Sequence, residues 1–569
     1  MAIVGIDLGT TNSAVAVYRN GEAEIIPNNQ NGRTTPSVFQ VKPNGEEIVG
    51  SQAKMSAASF PNNTVLEVKR LMGSDEKVHI GNNSYRPEEI SSKIVRYLKQ
   101  CAENFLNENV VEAVITVPAY FSDAQRKATK DAGELAGLKI ERIINEPTAA
   151  ALAFSHDNLE KNRLLLVYDL GGGTFDVSIV EIFEGVVEVK TSVGDNKLGG
   201  ADFDNEIINL IKRNFQQQHG FTMESIASDE KMLYYMLKDL AEQAKINLSA
   251  QMETDINIPF VGLKNNMPVS FVMKLRRMDF EQAIKRYVDI TIDKVNQSLR
   301  EANLHVNDIS EVLMVGGSTR IPYVQERVRE LFPAQIRTDV NPDEVVARGA
   351  AVQAGLKAGT VTQEKQMVAI DVCPYTLGTN VGHDNRFDPL IKKNTPIPYR
   401  TTRKYYTLND NQTSMGFPIY QGEEEYCKDN ILVSDDFDVH GIPPAPAGKE
   451  YIDVVVGYDI NGIIELEVLI PSTGQRLRHF VETQVGVMDR QEKANALLRM
   501  SEEEERAMLI EHVKQGIYRA EKLKNQVPER DKKRLEVLIE RAQHALETGN
   551  ERQLRAADQQ LLDLILKLI

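Results

Sequence analysis

Short apolar runs alternate with helix-period segments through the first 365 residues. Ile3–Ile6 and Ala14–Tyr18 flank a turn at Gly9–Thr11 and read as strands. Val111–Val117 and Leu164–Val167 are unbroken β-rich runs of the kind buried on both faces. Pro87–Leu106 and Asp123–Ala136 carry helical spacing. This alternation predicts an α/β architecture with helices on a mixed sheet. A distant internal repeat runs through it. A strand ending in Asp7-Leu8-Gly9 recurs at Asp169-Leu170-Gly171, and a second strand-like run follows each (Ala14–Tyr18, Val177–Ile182).

Lys357–Gln366 forms a polar joint, after which the pattern changes. Residues 371–485 carry short alternating runs broken by Gly, Pro, Asn and Asp, which predicts an antiparallel β-sandwich. Tyr405–Leu408, Gly416–Tyr420, Ile452–Tyr458 and Ile463–Leu469 are its clearest strands, with a hairpin turn expected at Asp459–Gly462. From about Asp489 the pattern is helical to the end. Ser501 with Glu504 reads as a capping box at a helix start, Pro528 interrupts, and Gly549-Asn550 is a turn. Leu535, Leu538, Ile539, Ala542 and Leu546 share one face; Leu554, Ala557, Leu561, Ile565 and Leu568 share another. Antiparallel helices joined by short turns follow from that.

The 569 residues allow three or four domains at about 150 residues each. Apolar residues at 42% and charged residues at 26% exclude a disordered or low-complexity chain. A net charge of −16 repels nucleic acid and anionic membrane, so neither is an expected partner. Three scattered cysteines, with no CxxC spacing, argue against a disulfide framework and a thiolate metal site. No basic leader and no apolar run near 18 residues stands in the sequence, which makes a reducing cytoplasm the expected compartment.

Two Asp-led strand-turn-strand loops suit a nucleotide held between two lobes. Gly9, Gly171, Gly172 and Gly173 let the backbone approach a phosphate, and successive N–H groups form an anion nest. Thr10, Thr11 and Thr174 add hydroxyl donors. Asp7 and Asp169 would hold Mg²⁺ through water, because magnesium keeps most of its hydration shell. The Walker pattern is missing, so this is not a P-loop protein.

Residues 5–13 (GIDLGTTNS), 169–176 (DLGGGTFD) and 315–322 (VGGSTRIP) resemble the three signatures of the seventy-kilodalton heat-shock chaperones of the DnaK type. Residues 116–121 (TVPAYF) and 145–153 (NEPTAAALA) lie between them in the family's order. The resemblance runs from residue 3 to about 485 and continues more weakly into the tail. It implies an actin-like, ribonuclease H-like duplicated ATPase domain at 1–365, a linker at 366–371, a β-sandwich peptide-binding domain at 372–488 and an α-helical lid at 489–569. ATP/ADP and Mg²⁺, with K⁺ as a further candidate, would be the cofactors.

Carried over residue by residue, Lys69 matches the catalytic lysine, Glu146 the carboxylate near the attacking water, and Asp169, Thr174 and Asp176 the second phosphate loop. Asn12 joins the first loop. Glu242, Lys245 and Ser249, on one helix face, match one adenosine wall; Gly316, Gly317, Ser318, Arg320 and Asp343 match the other. The alternative for Glu242 and Lys245 is an ordinary i, i+3 ion pair. Tyr405, Leu408, Met415 and Phe417 match the peptide arch and pocket, where a bare apolar core is the alternative. Pro118 and Arg126 match residues that relay nucleotide state, and Arg142, Asn145, Thr148 and Asp371 match the surface where J-domain co-chaperones dock.

Departures narrow the resemblance. The linker reads MVAID at 367–371 where most relatives run Leu before Asp, so weaker or retuned coupling is expected. The segment after Gly73 and the loop Val261–Pro268 look short, which puts a standard nucleotide exchange factor in doubt. Residues 371–378 and 458–462 resemble the specialised HscC branch, implying specialised clients. The expected function is thus an ATP-dependent chaperone for extended apolar segments of client proteins. The alternatives are an actin-superfamily small-molecule kinase, a filament-forming relative, and a peptide-binding regulator with little ATPase coupling.

Overall fold

The computed structural model describes residues 2–158, 162–332, 336–337, 340–381, 385–434, 438–480 and 488–568. The expected end of the β stretch, residues 481–485, and most of its junction with the helical tail lie outside the described residues.

Two sheets of matching topology form the first part. In the first, the strand Ala2–Asp7 lies between the parallel strand Val110–Val117 and the antiparallel strand Asn12–Arg19; Lys139–Asn145 and Glu22–Ile26 flank these. In the second, Arg163–Leu170 lies between the parallel strand Glu311–Val315 and the antiparallel strand Phe175–Phe183, with Ile336–Arg337 and Val186–Asp195 beyond. The repeated Asp-Leu-Gly turn therefore ends the same strand in each sheet.

Between the sheets cross the helices Glu146–Asp157 and Val345–Ala358. Both are rich in Ala and Gly, which brings their backbones close. A Cβ built on Gly349 would lie 1.7 Å from the carbonyl oxygen of Ala149, and one on Gly5 would lie 2.2 Å from the nitrogen of Ala351. Flanking helices cover the outer faces: Pro87–Leu106 and Asp123–Leu135 on the first sheet, Gly200–His219 and Arg277–Glu301 on the second. Pro at the first position of Pro87–Leu106, and Ser122 accepting from the nitrogen of Gln125, set two of those starts.

The segment Val261–Pro268, expected as a short loop, is mostly strand. Glu253–Lys264 pairs with Met267–Arg276, and only Asn265 and Asn266 turn, both at positive φ. Two asparagines suit that left-handed two-residue turn, and its brevity leaves no loop.

Val368–Val372 is not a free linker. It pairs in parallel with Val186–Asp195, extending the second sheet, and then antiparallel with Pro396–Ile397. Past it, two four-stranded antiparallel sheets pack face to face. One contains Leu377–Val381 and Arg386–Ile391; the other contains Tyr399–Tyr406, Tyr451–Tyr458 and Ile464–Ile470. Ile452, Val454, Val456, Ile464, Leu466, Val468 and Ile470 point inward in strict alternation, as the pattern predicts. Asp459–Gly462 makes the tight turn between two of these strands, Gly462 having φ 71°.

Three helices close the chain: Arg490–Lys524, Glu529–Thr548 and Glu551–Leu568. Ser501 is not a helix start. Asp489 accepts from the nitrogen of Glu492, whose carboxylate accepts from the nitrogen of Asp489, so the capping box lies there. The helix runs through Ser501 because Ala496 and Met500 are buried together with Leu135 of the first part. No helix among the described residues is long and apolar enough to cross a membrane.

The long helix docks on the first part through a layer of ion pairs. Lys493 bridges Asp131 at 2.5 Å and also Glu134; Arg499 pairs with Glu89, and Lys93 with both Glu47 and Glu503. Arg506 donates to the carbonyls of Asn44 (3.1 Å) and Gly549 (2.9 Å), fixing the helical hairpin to a turn of the first part.

The Gly349 contact is testable: Gly349→Ala forces apart two packed backbones and should cost about 1–3 kcal/mol or more, read as a lower melting temperature. An unchanged melting temperature would contradict that packing.

Candidate functional site

The two sheets leave between them a cleft of ≈ 400 Å³, within the usual range for a small-molecule site. Asp7, Gly9, Thr10, Thr11, Asn12, Lys69, Glu146, Asp169, Gly171, Gly172 and Thr174 line it. The two glycine loops touch. A Cβ on Gly172 would lie 2.1 Å from Oγ1 of Thr11, and one on Gly173 would lie 2.5 Å from Cγ2 of Thr10. Only glycine permits this approach, and it brings both sets of backbone N–H groups to one place.

Lys69 is buried in a 3₁₀ turn, Val68–Leu71. Its Nζ lies 2.7 Å from Oε1 of Glu146, at the start of the helix that crosses between the sheets, and 5.4 Å from the centre of the Phe121 ring. Oδ1 of Asp7 accepts from Thr116 at 2.9 Å, and Oδ1 of Asp176 accepts from the nitrogen of Tyr120 at 3.2 Å. Burial and then the Glu146 carboxylate push both Asp7 and Asp176 up to about 7. Asp169 is raised for the same reasons, with Asp176 and Asp7 adding to its repulsion.

That crowd of carboxylates around one ammonium is the test for a cation. The donor set is all oxygen and short of positive charge, which suits a hard divalent ion such as magnesium. Among the described residues no three His, Cys, Asp or Glu side chains converge as direct ligands, so an ion here would keep water in its shell.

The remainder of the cleft wall comes from two helices and a loop. Glu242, Lys245 and Ser249 share a face of the helix Glu230–Ala250 and line the cleft; Gly316, Gly317, Ser318, Arg320 and Asp343 line it opposite. Glu242 and Lys245 pair with other residues: Glu242 with Lys54 at 2.6 Å and Lys245 with Asp204 at 2.7 Å. Arg320 donates to Asp343 at 2.7 Å.

Below the cleft lies a buried polar hub. Asp371, at the end of the expected linker, accepts from Nδ2 of Asn145 (2.9 Å) and from Oγ1 of Thr148 (2.5 Å). Arg126 is fully buried and donates to Oδ1 of Asn145 (2.7 Å) and to the carbonyls of Ala119 (3.1 Å), Phe121 (3.3 Å) and Asn461 (3.4 Å). Burial lowers the Arg126 pKa, and Asp371 opposes this. Arg142 donates to Oε1 of Gln353 (2.7 Å) and to the carbonyl of Ala369 (3.2 Å), so it holds the linker strand. Pro118 begins the turn that ends at Phe121, whose nitrogen donates to the Pro118 carbonyl.

Several hub members carried no local signal. Asn461 accepts at Oδ1 from the nitrogen of Ile143, and Asp123 accepts from the nitrogen of Ile464 at 3.0 Å. Tyr375 donates to the carbonyl of Tyr120 at 3.0 Å, the same residue whose nitrogen reaches Asp176. The sequence marks Asn461 and Tyr375 only as a turn residue and a strand neighbour; their partners stand hundreds of residues away.

In the β region Tyr405 and Phe417 meet edge to face, ring centres 4.9 Å apart, and Met415 packs on the same apolar cluster. Phe417 is buried core. Leu408 stands apart, exposed in the loop after its strand. Tyr405 donates to Oδ2 of Asp388 at 3.0 Å.

A family model described as Hsp70 protein matches residues 3–568, nearly the whole chain. The chain belongs to the Hsp70 family, whose members are ATP-dependent chaperones that use ATP or ADP with Mg²⁺ and act on client proteins together with J-domain co-chaperones.

The Asp7 carboxyl, pushed up to about 7, must release its proton to accept a cation, and Asp169 is raised as well. Stabilisation of the protein by Mg²⁺ with ADP should therefore grow from pH 6 to pH 8, by up to about tenfold in affinity per unit for each proton displaced. Calorimetric titration at the two pH values reads this; equal affinity would contradict it.

Proposed function

We propose that this chain is a chaperone that hydrolyses ATP in the cleft and uses that event to control its grip on extended apolar peptide segments in the β region. The supporting observation is a pair of polar chains: Asp176 to Tyr120 to Tyr375, and, through Asn145 beside the cleft residue Glu146, Arg126 to Asn145 to Asp371. A change at the second phosphate loop is thereby felt by the linker strand and the β sheets.

The division of labour follows the element order. Residues 1–365 form the actin-like ATPase, 366–371 the linker, 372–488 the peptide-binding sandwich and 489–569 the lid. The touching glycine loops present N–H groups to the phosphates. Lys69 offsets charge that develops on the terminal phosphoryl group, and Glu146, already 2.7 Å from Lys69, holds the attacking water in line. Thr174 and Asp176 complete that end of the cleft. Asp7 and Asp169 would hold Mg²⁺ through water, and the ion would neutralise phosphate charge. Glu242, Lys245, Ser249 and Arg320 border the adenosine; the guanidinium of Arg320 suits stacking on the base.

Tyr405, Met415 and Leu408 form the peptide contact, with Phe417 as its floor. Burying one Leu-sized side chain contributes roughly 1.5–3 kcal/mol, while ordering each peptide residue costs roughly 1–2 kcal/mol. The surplus is small, so a modest coupling suffices for release. The long helix pairs with Glu89, Asp131 and Lys93 of the first part, which supports reading this as a releasing arrangement. Asn145, Thr148 and Asp371, expected on a docking surface, are buried, so Arg142 is the residue of that set that a J-domain partner would reach. The resemblance of residues 371–378 and 458–462 to the specialised branch supports specialised clients, and the tight hairpin at 253–276 supports an exchange factor of a non-standard kind.

Lys69→Met and Glu146→Gln should each lower single-turnover hydrolysis by about 10²–10³-fold while nucleotide still binds. Wild-type turnover in either variant would contradict the assignment. Separately, a fluorescent apolar peptide should dissociate about 5–150-fold faster with ATP and Mg²⁺ than with ADP; equal rates would overturn coupled release.

A further inference from the structure

Two residues ahead of Lys69 the backbone does something unusual. Glu67 has φ 57° and ψ 27°, a left-handed conformation. Eleven non-glycine residues among those described have positive φ, and nine are Asn, which tolerates it. The other exception, Glu184, is an exposed hairpin tip beside Gly185. Glu67 is no hairpin tip; it leads directly into the 3₁₀ turn that carries Lys69. Strained backbone persists only where its surroundings over-determine it.

The surroundings here belong to the other side of the cleft. Oε1 of Glu67 lies 2.9 Å from Nζ of Lys238, on the helix Glu230–Ala250. Lys238 is 5% exposed and also donates to the carbonyl of Ala201 at 3.2 Å. On the far side of Lys69, Arg70 reaches Oδ2 of Asp202 at 2.6 Å and the carbonyl of Gly173 at 3.3 Å. The lysine turn is therefore gripped at both ends by the second-sheet side, while Lys69 itself points to Glu146. Lys54 with Glu242 also bridges the cleft at 2.6 Å, but away from this turn.

We propose that Glu67 and Lys238 are a positioning pair for the hydrolysis reaction. Closure of the cleft brings Lys238 to Glu67, the pair holds the left-handed turn, and the turn aims the Lys69 ammonium. This rests on the ATP-hydrolysis reading above. Neither residue lines the cleft, so the pair acts on the chemical step more than on binding.

The test uses the full chain: single-turnover ATP hydrolysis, ATP affinity and melting temperature for five variants. Glu67→Gln and Lys238→Met should each slow hydrolysis about 10- to 100-fold, the scale of a misplaced catalytic group, with ATP affinity near wild type. The double variant should be no slower than the slower single one, because both remove one interaction. Lys238→Arg should recover most of the rate. Glu67→Gly, which relaxes the strain but leaves no carboxylate, should stay slow. Wild-type hydrolysis with faster nucleotide release in the variants would make the pair a plain latch and overturn the proposal, as would additive losses in the double variant. A wild-type chain that binds ATP and never hydrolyses it would overturn the function reading, and this inference with it.

Discussion

A carboxylate buried to 4% exposure, Asp371, fixes the arrangement of everything around it. A buried charge without partners is too costly to persist, so its donors must stay in place. Those donors are Asn145 and Thr148, at the start of the helix that crosses between the two sheets. Asn145 in turn accepts from Arg126, a buried cation whose other acceptors come from the turn after Pro118 and from Asn461 of the β region. Three stretches of chain far apart in sequence thus share one set of hydrogen bonds. None can shift without leaving a buried charge unpaired.

The cleft sits on top of this hub. Glu146 follows Asn145 directly, so the residue facing Lys69 and the residue holding Asp371 are neighbours on one helix start. The contact between the glycine loops and the crossing at Gly349 leave little slack between the sheets. Movement in the cleft is consequently passed on rather than absorbed. The helical tail docks on the first part from outside, through ion pairs of which several are partly exposed and individually weak. A docked but releasable helix needs that balance.

Much of this was legible in the chain itself, for a physical reason. Phosphate loops are local: Gly and Thr at fixed spacing after an apolar strand carry their chemistry in a few residues. The alternation at 451–470 and the stripes of the last two helices were equally local. Ser501–Glu504 shows the limit. It satisfies the same short pattern as Asp489–Glu492, and what decides between them is the packing of Met500 against Leu135, which no local pattern reports. The hub residues could be named only through family resemblance. Asn461, Tyr375, Glu67 and Lys493 escaped altogether, because each draws its meaning from a partner between about 170 and 360 residues away.

Under the function proposed above, the state of the cleft sets the docking of the long helix. Spin labels at Asn82 and Glu502, which line one groove between the two parts, would measure that docking in the full chain. The short distance should dominate with ATP and Mg²⁺ and lengthen with ADP, and Asp371→Ala should abolish that difference while ATP still binds. A variant that keeps the nucleotide-dependent change would contradict the account.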